Sequence, residues 1–486
     1  MTSLTPIDRE HPARPLRAAR RLIGATASAA ALTAALLAPV SAAWAQQDAP
    51  LSLIRDTEIE AILHQDADPI FIAAGLNPKA VTIHIVGDNE LQAFVANGQN
   101  LFVYSGLIVR TKDPNELIGV IAHETGHIAG GHLARADEGM KPALATYVLT
   151  MGLAALAAVA GSPDAAAGLL YSSDYFATLT ALGYSRTKEA SADQAAITYL
   201  EKAHESAEGL VDFFDNFRYE EVFSGAKRYP FFQDHPLTSE RIEALRVRAA
   251  EQPSYGQKDS AEALAQHQIM IAKLKAFINL PAQTFVDYKE TDTSFPARYA
   301  RAIAYYRDLQ TNRALKLTDA LLAEHPDNPY LWELKGQTLF EIGRAKEAEP
   351  AHRRSVELKP DAPLLRMNWG QALLAENDPA TLDQAIAEIH RSLDADGDNP
   401  YGWLLLAQAY DRKGEAGLAR LATAEENFAL GQAAEARIFA MRARQQLPKN
   451  SPEWRRATDI VLVSKPTKDD LKMLAQEGSV EQPVRR

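Results

Sequence analysis

Residues 81–86 alternate apolar and polar, the period of a half-buried strand. A second strand-like run, 93–106, contains Asn97-Gly98, the dipeptide that closes a tight hairpin. The strand expected at 101–105 directly precedes the next helix and is read as a cleft edge. An extended substrate could pair with it by strand addition, against the plainer reading of a strand with no substrate contact. The next helix opens with Asp113 as N-cap, Pro114 at the first helical position and Glu116 where a capping-box acid belongs. Its apolar run, 117–122, suits a helix buried beneath a cleft. Residues 142–160 then carry no charge, and 165–182 are apolar except for Asp174. The first stretch is at the lower limit for a membrane span, and the second would carry Asp174 into lipid. A helical hairpin against the core or the bilayer surface is therefore preferred to a spanning pair.

Beyond residue 294 the period changes. Pro326 and Pro360 lie 34 residues apart, the spacing of tetratricopeptide repeats, with Trp332, Gly336, Leu339, Gly343 and Ala348 between them. Ala302, Tyr305 and Ala314 mark the preceding unit. Trp369, Gly370 and Ala385 mark the next, and Trp403, Ala407, Tyr410 and Gly414 the one after. An insertion at 376–381 makes the period slip. Stacked helix pairs would form a groove for an extended peptide or a partner, or would only shield the rest of the chain.

The predicted class is mostly α. An α+β domain at 46–250, with a small sheet, is followed by a connector at 251–294, a repeat solenoid at 295–448 and a polar tail at 449–486. One short helix is expected in that tail, at 468–476.

Composition adds compartment and excludes chemistries. The chain has no cysteine, so disulfides, thiolate metal sites and thiol catalysis are ruled out. Residues 1–45 have a basic start, an apolar stretch at 22–37 and Ala43-Trp44-Ala45 before Gln46, the form of a cleaved export signal. A periplasmic location is expected. Arg20-Arg21 fits the twin-arginine pattern only loosely, so ordinary secretion is favoured. Cleavage would remove five arginines, Asp8 and Glu10, taking the net charge from −12 to −15. So acidic a chain is a poor nucleic-acid binder.

The chemistry centres on His123-Glu124-Thr125-Gly126-His127. Histidines four apart on a helix project from one face, so both can reach one Zn²⁺, and Glu124 is placed to take a proton from water on the metal. A three-histidine motif would need a histidine at 133. That position is Leu, so His132 is read as structural or as a partner of a ligand. Within Ser185-Arg-x-x-Glu189-x-x-Ala-Asp193, Glu189 can supply the third ligand. Asp193, one turn on, can accept the free ring N–H of a ligating histidine.

These motifs, with His235-Pro-Leu-Thr-Ser-Glu-Arg241, resemble those of the zinc peptidases related to the CAAX prenyl protease and the heat-shock protease HtpX, and within them a soluble periplasmic chaperone-protease branch. The resemblance implies one zinc on His123, His127 and Glu189, with Glu124 as general base. It also implies a place for His235 near the metal, where it can close the open position, and for Arg241 near the site. The alternative for His235 is a capping residue of the following helix. The implied substrates are unfolded or stalled envelope proteins, and the implied partner is the outer-membrane β-barrel assembly machinery, with peripheral membrane contact through 142–182. The expected function is a secreted zinc endopeptidase whose repeats recruit substrate. The alternatives are a chaperone or adaptor with its protease latched, and an integral membrane protease.

Overall fold

The computed structural model describes residues 52–96, 98–132, 149, 185–224, 235 and 238–477. The expected export signal at 1–45 and apolar hairpin at 142–182 lie outside the described residues, Leu149 apart. No described helix is long and apolar enough to cross a membrane.

The chain begins with β1 (Leu53–Ile54), then α1 (Thr57–Ala73), capped by Asp56, whose carboxylate accepts the N–H groups of Glu58 and Ile59. Three further strands, β2 (Thr82–Val86), β3 (Ala93–Ala96) and β4 (Asn100–Tyr104), complete a sheet in the order β1-β2-β4-β3. Alternation sends Ile83, Ile85, Leu101, Val103, Ala93 and Val95 into the core. His84, Phe102 and Phe94 stack on the other face, with centroids 4.6 and 4.8 Å apart. The expected cleft edge needs correcting. β4 pairs in parallel with β2 and antiparallel with β3, so it is interior and cannot accept an added strand. The outer position beside it belongs to β3.

A single helical turn, Ser105–Ile108, leads to α2 (Pro114–Ala129), capped by Asp113 and buried from Pro114 to His127. Around it pack a helix over residues 185–202 (α3), then α4 (Glu208–Ser224) and α5 (Ser239–Ala250). Two close approaches depend on glycine. A Cβ on Gly119 would lie 2.8 Å from Leu210 Cα of α4. One on Gly126 would lie 2.8 Å from the Ala192 carbonyl oxygen of α3.

In the segment expected as a connector, α6 (Ala261–Ile278) has two working faces. Met270 and Leu274 belong to the peptidase-side core, while Ala272 and Ala276 pack with Tyr299 and Ile303 of the first repeat. After α7 (Pro281–Asp287) come four helix pairs. They are α8/α9 (Phe295–Arg307, Thr311–Glu324), α10/α11 (Pro329–Glu341, Ala345–Leu358), α12/α13 (Pro363–Ala375, Pro379–Ala395) and α14/α15 (Pro400–Arg412, Ala416–Ala429). The period slips because α13 has 17 residues where α9 and α11 have 14, so the insertion lengthens a helix instead of a loop. Equivalent positions repeat their bonds. Trp332 and Trp403 donate their indole N–H to the Pro326 and Gly397 carbonyls at 2.8 Å, and Arg366 does the same to Pro360. Three more helices follow: α16 (Ala433–Arg444), α17 (Pro452–Val463) and α18 (Lys468–Gln476).

Candidate metal centre

The four donors come from two helices, α2 and α3, and from His235, four residues ahead of α5. On α2, His123 and His127 lie one turn apart with their Nε2 atoms 3.2 Å from each other. Glu189 of α3 places Oε2 3.4 Å from His123 Nε2 and Oε1 3.4 Å from His127 Nε2. His235 adds Nδ1, 3.1 Å from Glu189 Oε2 and 3.2 Å from His123 Nε2. One ligand atom from each of these four residues lies within 4.8 Å of the other three, and all four residues are buried. Ligands held at about 2.0–2.1 Å around a tetrahedral zinc are separated by roughly 3.3 Å. The donor set of three imidazoles and a carboxylate, at the spacings found, therefore fits that ion.

The surroundings fix the rings. His123 Nδ1 lies 3.0 Å from Asp193 Oδ1, so its N–H turns away from the cluster and Nε2 turns toward it. His127 Nδ1 lies 3.1 Å from His132 Nδ1, and the His132 carbonyl accepts a bond from Lys188 Nζ at 2.8 Å. Arg241 donates from Nε and Nη2 to the two Asp193 oxygens at 2.5 and 2.8 Å, and its Nη1 lies 3.0 Å from Glu189 Oε2. It ties the third donor to the carboxylate that orients the first, and its guanidinium lies 5.3 Å from the Phe214 ring centre. Glu124 is fully buried beside the cluster, with Oε1 3.3 Å from His235 Nε2.

Charge follows the same pattern. Burial raises the Glu189 and Asp193 carboxyls, yet His123 and His235 hold Glu189, and Arg241 and His123 hold Asp193, below the usual carboxylate range. Burial pulls the His123 imidazole down, but Asp193 and Glu189 outweigh it and raise it to about 9. Burial, then the charge of His123, pushes His127 far down. Glu189 is thus kept ionised, the form in which a carboxylate ligates a metal.

Every residue singled out from sequence for this site is in or against it: His123, Glu124, His127, Glu189, Asp193, His235 and Arg241, with His132 touching His127. The alternative role for His235, capping α5, belongs to Thr238, whose hydroxyl accepts the Arg241 N–H. Sequence reasoning missed Phe214, whose ring meets His123 edge-on at 6.0 Å. Its only signal was an apolar pair, Phe213-Phe214. It also missed the reason position 126 is glycine.

The α+β fold and this centre define a metallopeptidase of the HExxH class. Residues 54–249 match the model of Peptidase family M48. The β-barrel assembly-enhancing protease of Yersinia pestis is 27% identical over 337 residues, covering 68% of each chain. The protein of that name from Escherichia coli K12 is 26% identical over 335 residues, covering 67% of this chain and 66% of its own. Among solved structures, the tetratricopeptide protein YrrB aligns with 37% of this chain and 92% of its own, at 21% identity and a TM-score of 0.30. The chain is a metalloendopeptidase, and zinc is the metal its donor cluster would hold.

Proposed function

We propose that this protein is a periplasmic zinc endopeptidase that removes misfolded or stalled outer-membrane proteins, with Glu124 as general base. The observation that carries the reading is the Glu124 carboxyl, buried against a four-donor cluster yet outside it. Bound zinc supplies a Lewis acid that polarises the scissile carbonyl and makes an adjacent water more acidic. Glu124 takes the proton of that water as it attacks and returns it to the leaving amine. His123, His127 and Glu189 would hold the ion, and Asp193 and Arg241 hold two of those ligands in place. The relatives named for β-barrel assembly support outer-membrane proteins as the substrate class, and the leader-like residues 1–45 support export. The repeat array would present the substrate or dock the assembly machinery.

Glu124→Gln should retain zinc and fold while casein cleavage falls by at least about 10³-fold, the scale of a lost general base in a concerted site. Cleavage retained by a zinc-loaded variant overturns the role.

A second reading rests on His235. Its Nδ1 touches the ligand cluster and its Nε2 touches Glu124, so it covers both the metal's fourth position and the base. In this arrangement the protease is latched, and the repeats act as chaperone or adaptor. A Glu124→Gln variant that still supports outer-membrane protein assembly favours this reading.

A further inference from the structure

A second cluster of buried charge, remote in sequence from the metal ligands, lies where α1, α6 and the first helices of two repeats meet. Lys273 of α6 is buried, with Nζ 2.8 Å from Asp56 Oδ2 and 3.1 Å from Glu58 Oε2. Tyr299 donates its hydroxyl to the same Glu58 oxygen at 3.0 Å. Nζ also lies 5.9 and 5.5 Å from the ring centres of Tyr299 and Tyr330, within reach of cation–π attraction. Beside this ammonium is a cavity of about 120 Å³, also lined by Tyr306, Glu333 and Gln337.

The carboxyl groups outnumber the cations. Asp56, Glu58 and Glu333 meet one lysine. Glu333 Oε1 accepts one hydrogen bond, from Asn368 Nδ2 at 3.0 Å, and among the described residues no cationic group lies within 4 Å of its carboxylate. Burial comes first among the causes; Lys273 offsets part of it, Asp56 and Glu58 add to it, and the balance pushes Glu333 up to about 8. Glu333 therefore keeps its proton near neutral pH, and an ammonium seated in the cavity would favour its ionised form and gain it as a partner.

We propose that this cavity binds a primary ammonium group, the side chain of a lysine in an extended polypeptide. Lys273 is the internal precedent, an ammonium held between carboxylates and over tyrosine rings in the same place. The volume is that of about four waters, enough for the end of a lysine side chain. The polar row continues along the first helices of the next pairs, where Asn368 binds Glu333 and Gln371 donates to the Tyr401 hydroxyl at 2.5 Å. Such amides and hydroxyls suit the backbone of a chain lying across them. The site is independent of the zinc chemistry.

The test is calorimetry on the full-length protein with an N-acetylated, C-amidated Gly/Ser peptide carrying one central lysine. Peptides with norleucine or arginine in its place are the comparators. The lysine peptide should bind at least tenfold more tightly than either. Glu333→Gln and Tyr330→Leu should each remove that advantage, while Glu357→Gln, an exposed acid on α11, should leave it unchanged. Equal binding of the norleucine peptide shows that charge is not recognised, and equal binding of the arginine peptide shows that the group is not an ammonium. An unaltered Glu333→Gln, or no binding at about 1 mM peptide, likewise overturns the proposal. The peptide comparison uses the unmodified protein, so it stands even if a variant fails to fold.

Discussion

Asp66 of α1 is a charge in the wrong place. Its Oδ2 is buried and has no hydrogen-bond partner among the described residues. Burial, then repulsion from Glu205 and Asp259, raises its carboxyl to about 7. An unfolded aspartate titrates near 3.9, so the folded state holds this proton more tightly. Its contribution to stability is complete below about pH 4 and is lost as pH rises to about 7. Asp66→Asn should therefore raise the melting temperature by roughly 2–4 °C at pH 8 and change it little at pH 4.5, as scanning calorimetry at the two values would read. Residues of this kind are not legible in sequence, because their character comes from neighbours 139 and 193 positions away. The opposite holds for His123, Glu124 and His127, whose relation is set by one turn of one helix. Glu189 was legible only through its motif, since nothing in a 62-residue separation dictates proximity to His127. The double contact of Arg241 with Asp193 and Glu189 needed the packed helices to be seen.

At the scale of elements, the metal centre exists because α2 and α3 approach closely at Gly126. Its missing Cβ would lie 2.8 Å from the Ala192 carbonyl oxygen and 3.0 Å from Ala192 Cα, both backbone atoms that cannot rotate aside. Gly126→Ala must therefore push α3 outward and carry Glu189 with it. A displacement near 1 Å costs about 10²-fold in turnover. The variant should stay folded by circular dichroism but lose about that much kcat/KM and release zinc to a chelator more readily. Full activity would mean that α3 is not held where it must be. The start of α2 was readable, since Asp113 accepts a backbone N–H bond as the expected N-cap, and α18 lies at the expected 468–476; Thr238, the cap of α5, was not picked out. Helix α17 was overlooked although Ser451-Pro452 opens it in the same way. Strand order was not readable. The hairpin gives β3 beside β4, but the parallel pairing of β2 with β4 is a long-range choice, and it moves the expected edge strand inside.

For the whole molecule, the peptidase domain and the repeats share α6, a segment whose mixed composition read as a connector because each face serves a different core. Lys273 fastens this wall to the start of α1. Lys273→Met would leave the buried Glu58 and the part-buried Asp56 without their cation, and removal of one partner from a buried ion cluster costs about 3–5 kcal/mol. Denaturant unfolding should register that loss, with part of it recovered by adding Glu58→Gln. A loss near zero would mean the cluster contributes nothing to the joint. The repeat array itself was legible from the spacing of Pro326 and Pro360. The account as a whole depends on one cation bound between α2 and α3. X-ray absorption at the zinc edge, with elemental analysis of the purified protein, tests this most directly. The expected result is one zinc per chain, bound only by nitrogen and oxygen with imidazole scattering, and much weaker retention in Glu189→Gln. A folded, proteolytically active protein without zinc, or zinc bound equally well by Glu189→Gln, would contradict it.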